Sequence, residues 1–177
     1  MAPPSAPTVF TIGHSNRDAD DFVGTLLAHG IEAVVDVRSV PFSQWTPQFN
    51  RDAIEERLGA AGIAYHFAGK QLGGRPDDPT CYRSGAVPDA GADYLSLVDY
   101  EEVARRPWYR RGLDRLLEIA ATRRSAVMCS EEDPVRCHRH HLIAQSLLER
   151  GIAVTHIRRD GAVEPATAPP KQLSLLP

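Results

Sequence analysis

Residues 125–150, SAVMCSEEDPVRCHRHHLIAQSLLER, place an apolar run, a short acidic loop and a helical pattern in direct succession. The run Ser125–Cys129 reads as a strand covered on both faces. Pro134 suits the first position of a helix capped by Asp133, running to Arg150 and stopped by Gly151. Ile152–Ile157 follows as another strand, so the stretch is one β-α-β unit. The pattern repeats upstream. Thr8–Ile12 and Glu32–Val37 read as strands around a helix capped by Asp18 or Asp20, with Phe22, Val23, Leu26 and Leu27 on one face. Asn50 can cap a helix that reaches Ala61 and buries Ile54 and Leu58, ahead of a strand at Ile63–Phe67. Residues 91–106 and 108–123 read as helices split by Pro107. This alternation predicts an α/β fold, a single three-layer domain with a mainly parallel five-stranded sheet. Right-handed crossovers favour the order 3-2-1-4-5. Its crevice lies between strands one and four, where the loops after Ile12 and Met128 should face each other.

The chain of 177 residues is 42% hydrophobic and 24% charged, ordinary globular values that exclude wholesale disorder. No stretch approaches the ~20 apolar residues of a membrane span, and MAPPSAPTVF carries no secretory signal. A net charge of -3 gives no global pull toward nucleic acid. Cys81, Cys129 and Cys137 are too few for a disulfide scaffold and fit reduced thiols in a cytoplasmic protein. Prolines crowd both ends, so residues 1–7 and 159–177 read as flexible tails around a domain at 8–158.

The two facing loops carry the chemistry. Gly13-His14-Ser15-Asn16-Arg17 offers imidazole, hydroxyl and amide in consecutive positions, and Ser15 and Asn16 can equally satisfy turn hydrogen bonds. Cys129 ends a strand before a helix start, where backbone N–H groups stabilise a thiolate or an anion. The layout resembles the cradle of cysteine phosphatases and sulfurtransferases. It departs from the phosphatase signature by one residue between Cys129 and Arg136, and it carries Glu131, Glu132 and Asp133 in place of glycines. Asp36 and Arg38 alternate to one side of a strand end, ahead of Ser39 and Ser43. They can pair with each other, hold a substrate or orient His14. Gly73, Gly74 and Arg75 lie in a long connection and can present N–H groups and a guanidinium to an anion.

Two other readings stay open. Cys137 and His141 are spaced i,i+4, and Cys129 could join them as ligands of zinc, although no CxxC pair is present. Five arginines and two aromatics between Arg105 and Arg115 suit phosphate contact and base stacking, which points to a nucleic-acid partner. A solvated helix junction explains the same stretch.

TIGHSNR, VVDVRSVPFS, QLGGR and MCSEEDPVRCHRHHLIAQ, in this order and spacing, resemble the prokaryotic DUF488 family, a domain of unknown function. The resemblance runs from Phe10 to about Ile157. Its marks fall on Gly13, His14, Ser15, Asp36, Arg38, Pro41, Ser43, Leu72, Gly73, Gly74, Cys129, Glu131, Cys137, His138 and Arg139. It implies an α/β fold and brings no reaction with it.

The residues together predict an enzyme, a Cys/His-dependent transferase or hydrolase without a required cofactor. Its substrate is an anionic, nucleotide-like small molecule at the carboxyl edge of the sheet. Cys129 is the expected nucleophile, His14 the acid or base, and Glu131 a proton carrier or orienter. Ser15, Asn16, Asp36, Arg38, Ser39, Ser43, Gly73, Gly74, Arg75, Cys137, His138 and Arg139 are the expected binding residues. A non-catalytic metal-binding or redox-sensing module is the alternative, and a nucleic-acid accessory protein the second.

Overall fold

A computed structural model describes residues 7–169; of the tails expected at 1–7 and 159–177, residues 1–6 and 170–177 lie outside the described residues. Strand β1 (Val9–Gly13) leads to α1 (Ala19–Ala28), where Asp18 accepts from the N–H groups of Asp20 and Asp21. β2 (Ala33–Asp36) and α2 (Arg51–Ala60) follow, then β3 (Ala64–Phe67). The long return contains α3 (Gly69–Leu72), α4 (Tyr94–Leu97), α5 (Tyr100–Arg105) and α6 (Pro107–Thr122). β4 (Ser125–Cys129) precedes the helix that ends in α7 (Gln145–Glu149), and β5 (Val154–Ile157) and β6 (Val163–Pro165) close the chain.

The sheet order is β3-β2-β4-β1-β5-β6, with every pair parallel except β5–β6. Period-two alternation splits the core. Phe10, Ile12, Val34, Ala126 and Met128 pack under α1 and α2. Val9, Val35, Val127 and Cys129 face α5, α6 and α7. The three layers are as the alternation requires.

The observed order differs from 3-2-1-4-5 by one exchange: β4 lies between β2 and β1. The crossover from β1 to β2 leaves a slot, and the return from β3 fills it. Both orders obey right-handed crossovers and keep β1 and β4, buried at every residue, in the interior of the sheet, with the partly covered β5 outside them and β6 beside it. β1 and β4 remain neighbours, with Gly13 opposite Cys129, so the two loops do face each other.

Three local expectations are corrected. The domain does not end at residue 158. Residues 163–165 form β6 against β5, and the Ala166 N–H donates to Val154 O. Pro165 lies in an edge strand, where a missing donor is tolerated. Asn50 makes no cap bond; its Oδ1 accepts from the Ser43 N–H at 2.7 Å and ties down the loop after β2. The helix expected over 134–150 is broken. Pro134–Arg136 is a 3-10 turn capped by Asp133, Cys137 is extended (φ -137°, ψ 145°), and a π-helical segment, Arg139–Ala144, runs into α7.

Candidate active site

Gly13 lets the two loops meet. A Cβ there would stand 1.7 Å from Glu131 O, so only glycine allows Ser130–Glu132 to cross the end of β1. The His14 N–H then donates to Cys129 O (2.9 Å), and the Ser15 N–H to Ser130 O (2.8 Å). Ser15 adopts φ 50°, a left-handed conformation that a non-glycine residue rarely holds. The acidic loop is pinned from beneath by Arg139, which is fully buried. Its Nη1 donates to Glu131 O, its Nη2 to Glu132 O (2.6 Å) and its Nε to Thr11 Oγ1 (3.2 Å).

The break at Cys137 creates the densest chemistry. Extended Cys137 acts as the cap of the helix that follows. Its carbonyl accepts from the His140 N–H, and its Sγ accepts from the Arg139 N–H at 3.5 Å. The next residue, His138, is already helical (φ -60°, ψ -21°), so its ring turns back toward the sulfurs. His138 Nδ1 lies 3.7 Å from Cys137 Sγ and 3.8 Å from Cys129 Sγ. Its Nε2 faces Leu72 O at 3.0 Å. A carbonyl only accepts, so Nε2 carries the proton and Nδ1 presents its lone pair to the thiols.

The two sulfurs are unequal. Burial opposes charge on Cys137, but the hydrogen bond from the Cys129 thiol, with the Arg139 charge nearby, outweighs it and holds Cys137 well below the usual thiol range. The hydrogen bond to Cys137, with burial, pushes Cys129 well above it. Of the two thiols, Cys137 rather than the expected Cys129 is the one whose surroundings favour ionisation. His141 leaves the cluster. It is exposed, and its Nε2 donates to Val135 O at 2.6 Å. The i,i+4 relation to Cys137 lapses because Cys137 lies outside the helix.

Beside the thiols stands a rigid cation. Asp36 Oδ1 accepts from Arg38 Nε (2.9 Å), and Oδ2 accepts from Arg38 Nη2 (2.6 Å) and the Tyr65 hydroxyl (2.7 Å). Arg38 Nη1 donates to Phe49 O (2.8 Å) and His14 Nε2 (3.2 Å). One Nη2–H is left for a ligand. His14 donates from Nδ1 to Ser15 O (2.7 Å) and stacks on Phe49 at 4.2 Å. Burial, with Arg38 nearby, lowers His14 from 6.5 to about 4. Both ring nitrogens are engaged, so His14 positions Arg38 and has no free lone pair for a reacting proton.

Two lobes of one cleft meet at Arg38, Val40, Phe42, Ser130 and Glu131. The larger, about 570 Å³, has Cys129, Cys137 and His138 on its floor and Arg38, Arg75 and Arg136 on its walls. Ser39 and Gly74 also line it; Ser39 Oγ accepts from the Arg75 N–H at 3.0 Å. His14, Ser15, Asn16 and Ser43 line the smaller lobe instead. Asp36 and Arg139 are fully buried and support the walls from behind. Gly73 and Gly74 serve packing. Cβ atoms there would stand 2.3 Å from Gly69 O and Ser39 Oγ, and 2.6 Å from the His138 ring.

Arg136, Tyr94, Tyr100 and Phe42 were not among the expected site residues. Arg136 carried a signal in its place beside Cys137. The tyrosines arrive from the long return, whose packing has no periodic signature. Arg75 lies over the Tyr94 ring at 4.6 Å. Among the arginines of 105–115, Arg105 pairs with Glu102, Arg106 with Asp78 and Glu102, and Arg115 with Glu118.

A family model described as a domain of unknown function, DUF488, matches residues 18–146. The chain belongs to the DUF488 family. No curated protein and no solved structure matches it. The DUF488 match takes in Asp36, Arg38, Gly73–Arg75, Cys129, Cys137 and His138; the loop of His14 and Ser15 precedes it. Among the described residues, no helix is long and apolar enough to cross a membrane.

One pH effect follows from two buried histidines. Burial lowers both His14 and His156 from 6.5 to about 4. Both stay neutral in the fold while the unfolded chain takes up protons from pH 6.5 downward. Stability is full above pH 6.5, falls between 6.5 and 4, and levels off below. At 1.36 kcal/mol per pH unit, each histidine removes about 2 kcal/mol at pH 5. Urea midpoints at pH 7.5 and 5.0 should show this drop, and His156→Gln should shrink it. An equal drop in the variant would refute the assignment.

Proposed function

We propose that this protein is an enzyme, a transferase or hydrolase, that acts on a small anionic molecule in the larger lobe of the cleft. One observation carries the reading: Cys129, Cys137 and His138 form the floor of the same lobe whose walls present Arg38, Arg75 and Arg136. With three guanidiniums against two carboxylates, Asp93 and Glu131, in its lining, the lobe carries a net positive charge that suits an anionic group with its electrophilic atom toward the sulfurs and the imidazole. Arg38 is a fixed charge, oriented by Asp36 and His14 before any ligand arrives. Arg75 is exposed and rests on the Tyr94 ring at 4.6 Å, from where its guanidinium faces the cleft. Tyr94 and Phe42 add flat apolar surface that suits a base or other planar group, which favours a nucleotide-like substrate. Arg105, Arg106 and Arg115 are held in ion pairs, so among the described residues only Arg110 and Arg111 of that stretch are left without one for a nucleic-acid surface, which favours a small-molecule site.

Thermal melts with inorganic phosphate, pyrophosphate and a nucleoside monophosphate test the binding. A panel of phosphate, sulfate and carboxylate esters tests the chemistry. Anions should raise the melting temperature, less so at high salt. Arg75→Ala should weaken binding about tenfold. Cys137→Ser keeps a good helix cap, so it should retain anion binding and lose turnover. If no anion shifts the melt, or Arg75→Ala with Arg136→Ala binds as well as the parent, the reading is wrong.

A further inference from the structure

We infer that Cys129 Sγ, Cys137 Sγ and His138 Nδ1 form a three-ligand zinc site whose fourth position opens into the cleft. The inference rests on the proposed reading of that lobe as a reaction site, and it replaces direct attack by sulfur with metal-centred chemistry. The three atoms lie within 4.8 Å of one another. A tetrahedral zinc with bonds of about 2.3 Å to sulfur and about 2.0–2.1 Å to nitrogen has S···N edges near 3.6 Å. The observed edges are 3.7 and 3.8 Å. Their near equality matters as much as their length. A hydrogen bond to one thiol would draw one sulfur closer than the other, whereas a central ion holds both at one distance.

The surroundings of the ligands point the same way. A ligating imidazole is held by a hydrogen bond from its other nitrogen. His138 Nε2–H donates to Leu72 O at 3.0 Å and leaves Nδ1 facing both sulfurs. The Arg139 N–H donates to Cys137 Sγ. Gly74 packs against the His138 ring, where any Cβ would collide, so the ring cannot drift. The ligands come from two rigid places, the end of β4 and the start of the following helix. Extended Cys137 and helical His138 explain how neighbouring residues converge on one point. Two thiolates and an imidazole are a soft donor set that favours zinc over hard cations.

Three protein ligands are one short of a closed structural site. The cluster floors the cleft, so the remaining position faces ligand space. Water or an anionic oxygen of the substrate fits there, beside Arg38 and Arg136. A bound zinc would polarise that oxygen and supply an acidic water near neutral pH.

Elemental analysis of the purified full chain tests the site, before and after chelator treatment and zinc return. About one zinc per chain is expected. Cys129→Ser, Cys137→Ser and His138→Gln should each lose most of it, and Cys81→Ser should keep it. Cobalt(II) added to the stripped protein should give the intense visible bands of tetrahedral coordination and a thiolate charge-transfer band, even if a variant folds poorly. Parent protein that takes up no zinc, or a Cys137→Ser variant that keeps full zinc, would overturn the site. Phosphate-dependent melts on zinc-loaded and stripped protein separate the two proposals. Zinc without any anion response would overturn the cleft reading alone. Anion response without zinc would overturn the metal alone.

Discussion

Replacing Gly13 with alanine should remove roughly 3–5 kcal/mol of stability, the combined effect of overpacking and broken hydrogen bonds. The added methyl would stand 1.7 Å from Glu131 O, 2.5 Å from its carbonyl carbon and 2.9 Å from Glu132 Cα. All three are backbone atoms, so no side chain can swing aside. The acidic loop would have to lift. It would lose its bonds to Arg139, and the Ser15 N–H would lose Ser130 O. Urea denaturation should show a lower midpoint at unchanged slope. Gly24→Ala and Gly59→Ala are the controls. Both sites lie inside helices with nothing within 4 Å of the new Cβ, and each change should stabilise by about 0.5–1 kcal/mol. A Gly13→Ala protein as stable as the parent would refute the close crossing.

The strands were legible because their signal is local. TVFTI, EAVVDV and SAVMC are short β-branched or apolar runs bounded by turn residues, and such runs pair wherever they lie. Their order was less legible. The place of β4 depends on which slot the return over residues 68–124 fills, and that is a matter of packing between distant segments. β6 hid behind prolines, which mark a tail and an edge strand alike.

The site divides the same way. The facing of the two loops followed from topology, and it brought Cys129, Glu131, Arg38 and Arg75 to one cleft. His141 looks like a ligand in the sequence because helical spacing is carried across Cys137, whose extended backbone breaks it. Gly73 and Gly74 suggested N–H donors to an anion, yet they are there because Ser39 and His138 leave no room for a Cβ. In the sequence His14 looks like an acid or base. Its neighbours Ser15 O and Arg38 use both nitrogens, and sequence does not reveal which hydrogen bonds a ring has already made.

Arg139→Met tests what lies beneath both loops. Arg139 has no carboxylate partner within ion-pair distance among the described residues, and its donors go to two carbonyls and a hydroxyl. Methionine fills similar space and leaves those buried acceptors unpaired, so a loss of roughly 3–5 kcal/mol is expected. A second effect is independent of stability. Arg139 Nε donates to Thr11 Oγ1, so the Thr11 hydroxyl donates onward to His156 Nδ1 at 2.7 Å. His156 Nε2–H then reaches His140 Nδ1 at 3.1 Å. Burial, and next the Arg139 charge, lowers His156 to about 4. In Arg139→Met the charge is gone and burial remains, so His156 should titrate higher but still below 6.5. Arg139→Lys keeps the charge and loses the fork that spans Glu131 O and Glu132 O. It should lower stability while His156 stays near its parental value. NMR titration of the His156 ring separates the variants. If His156 is unmoved by Arg139→Met, the buried guanidinium does not set the proton order of this chain, and its role is confined to holding the acidic loop over β1.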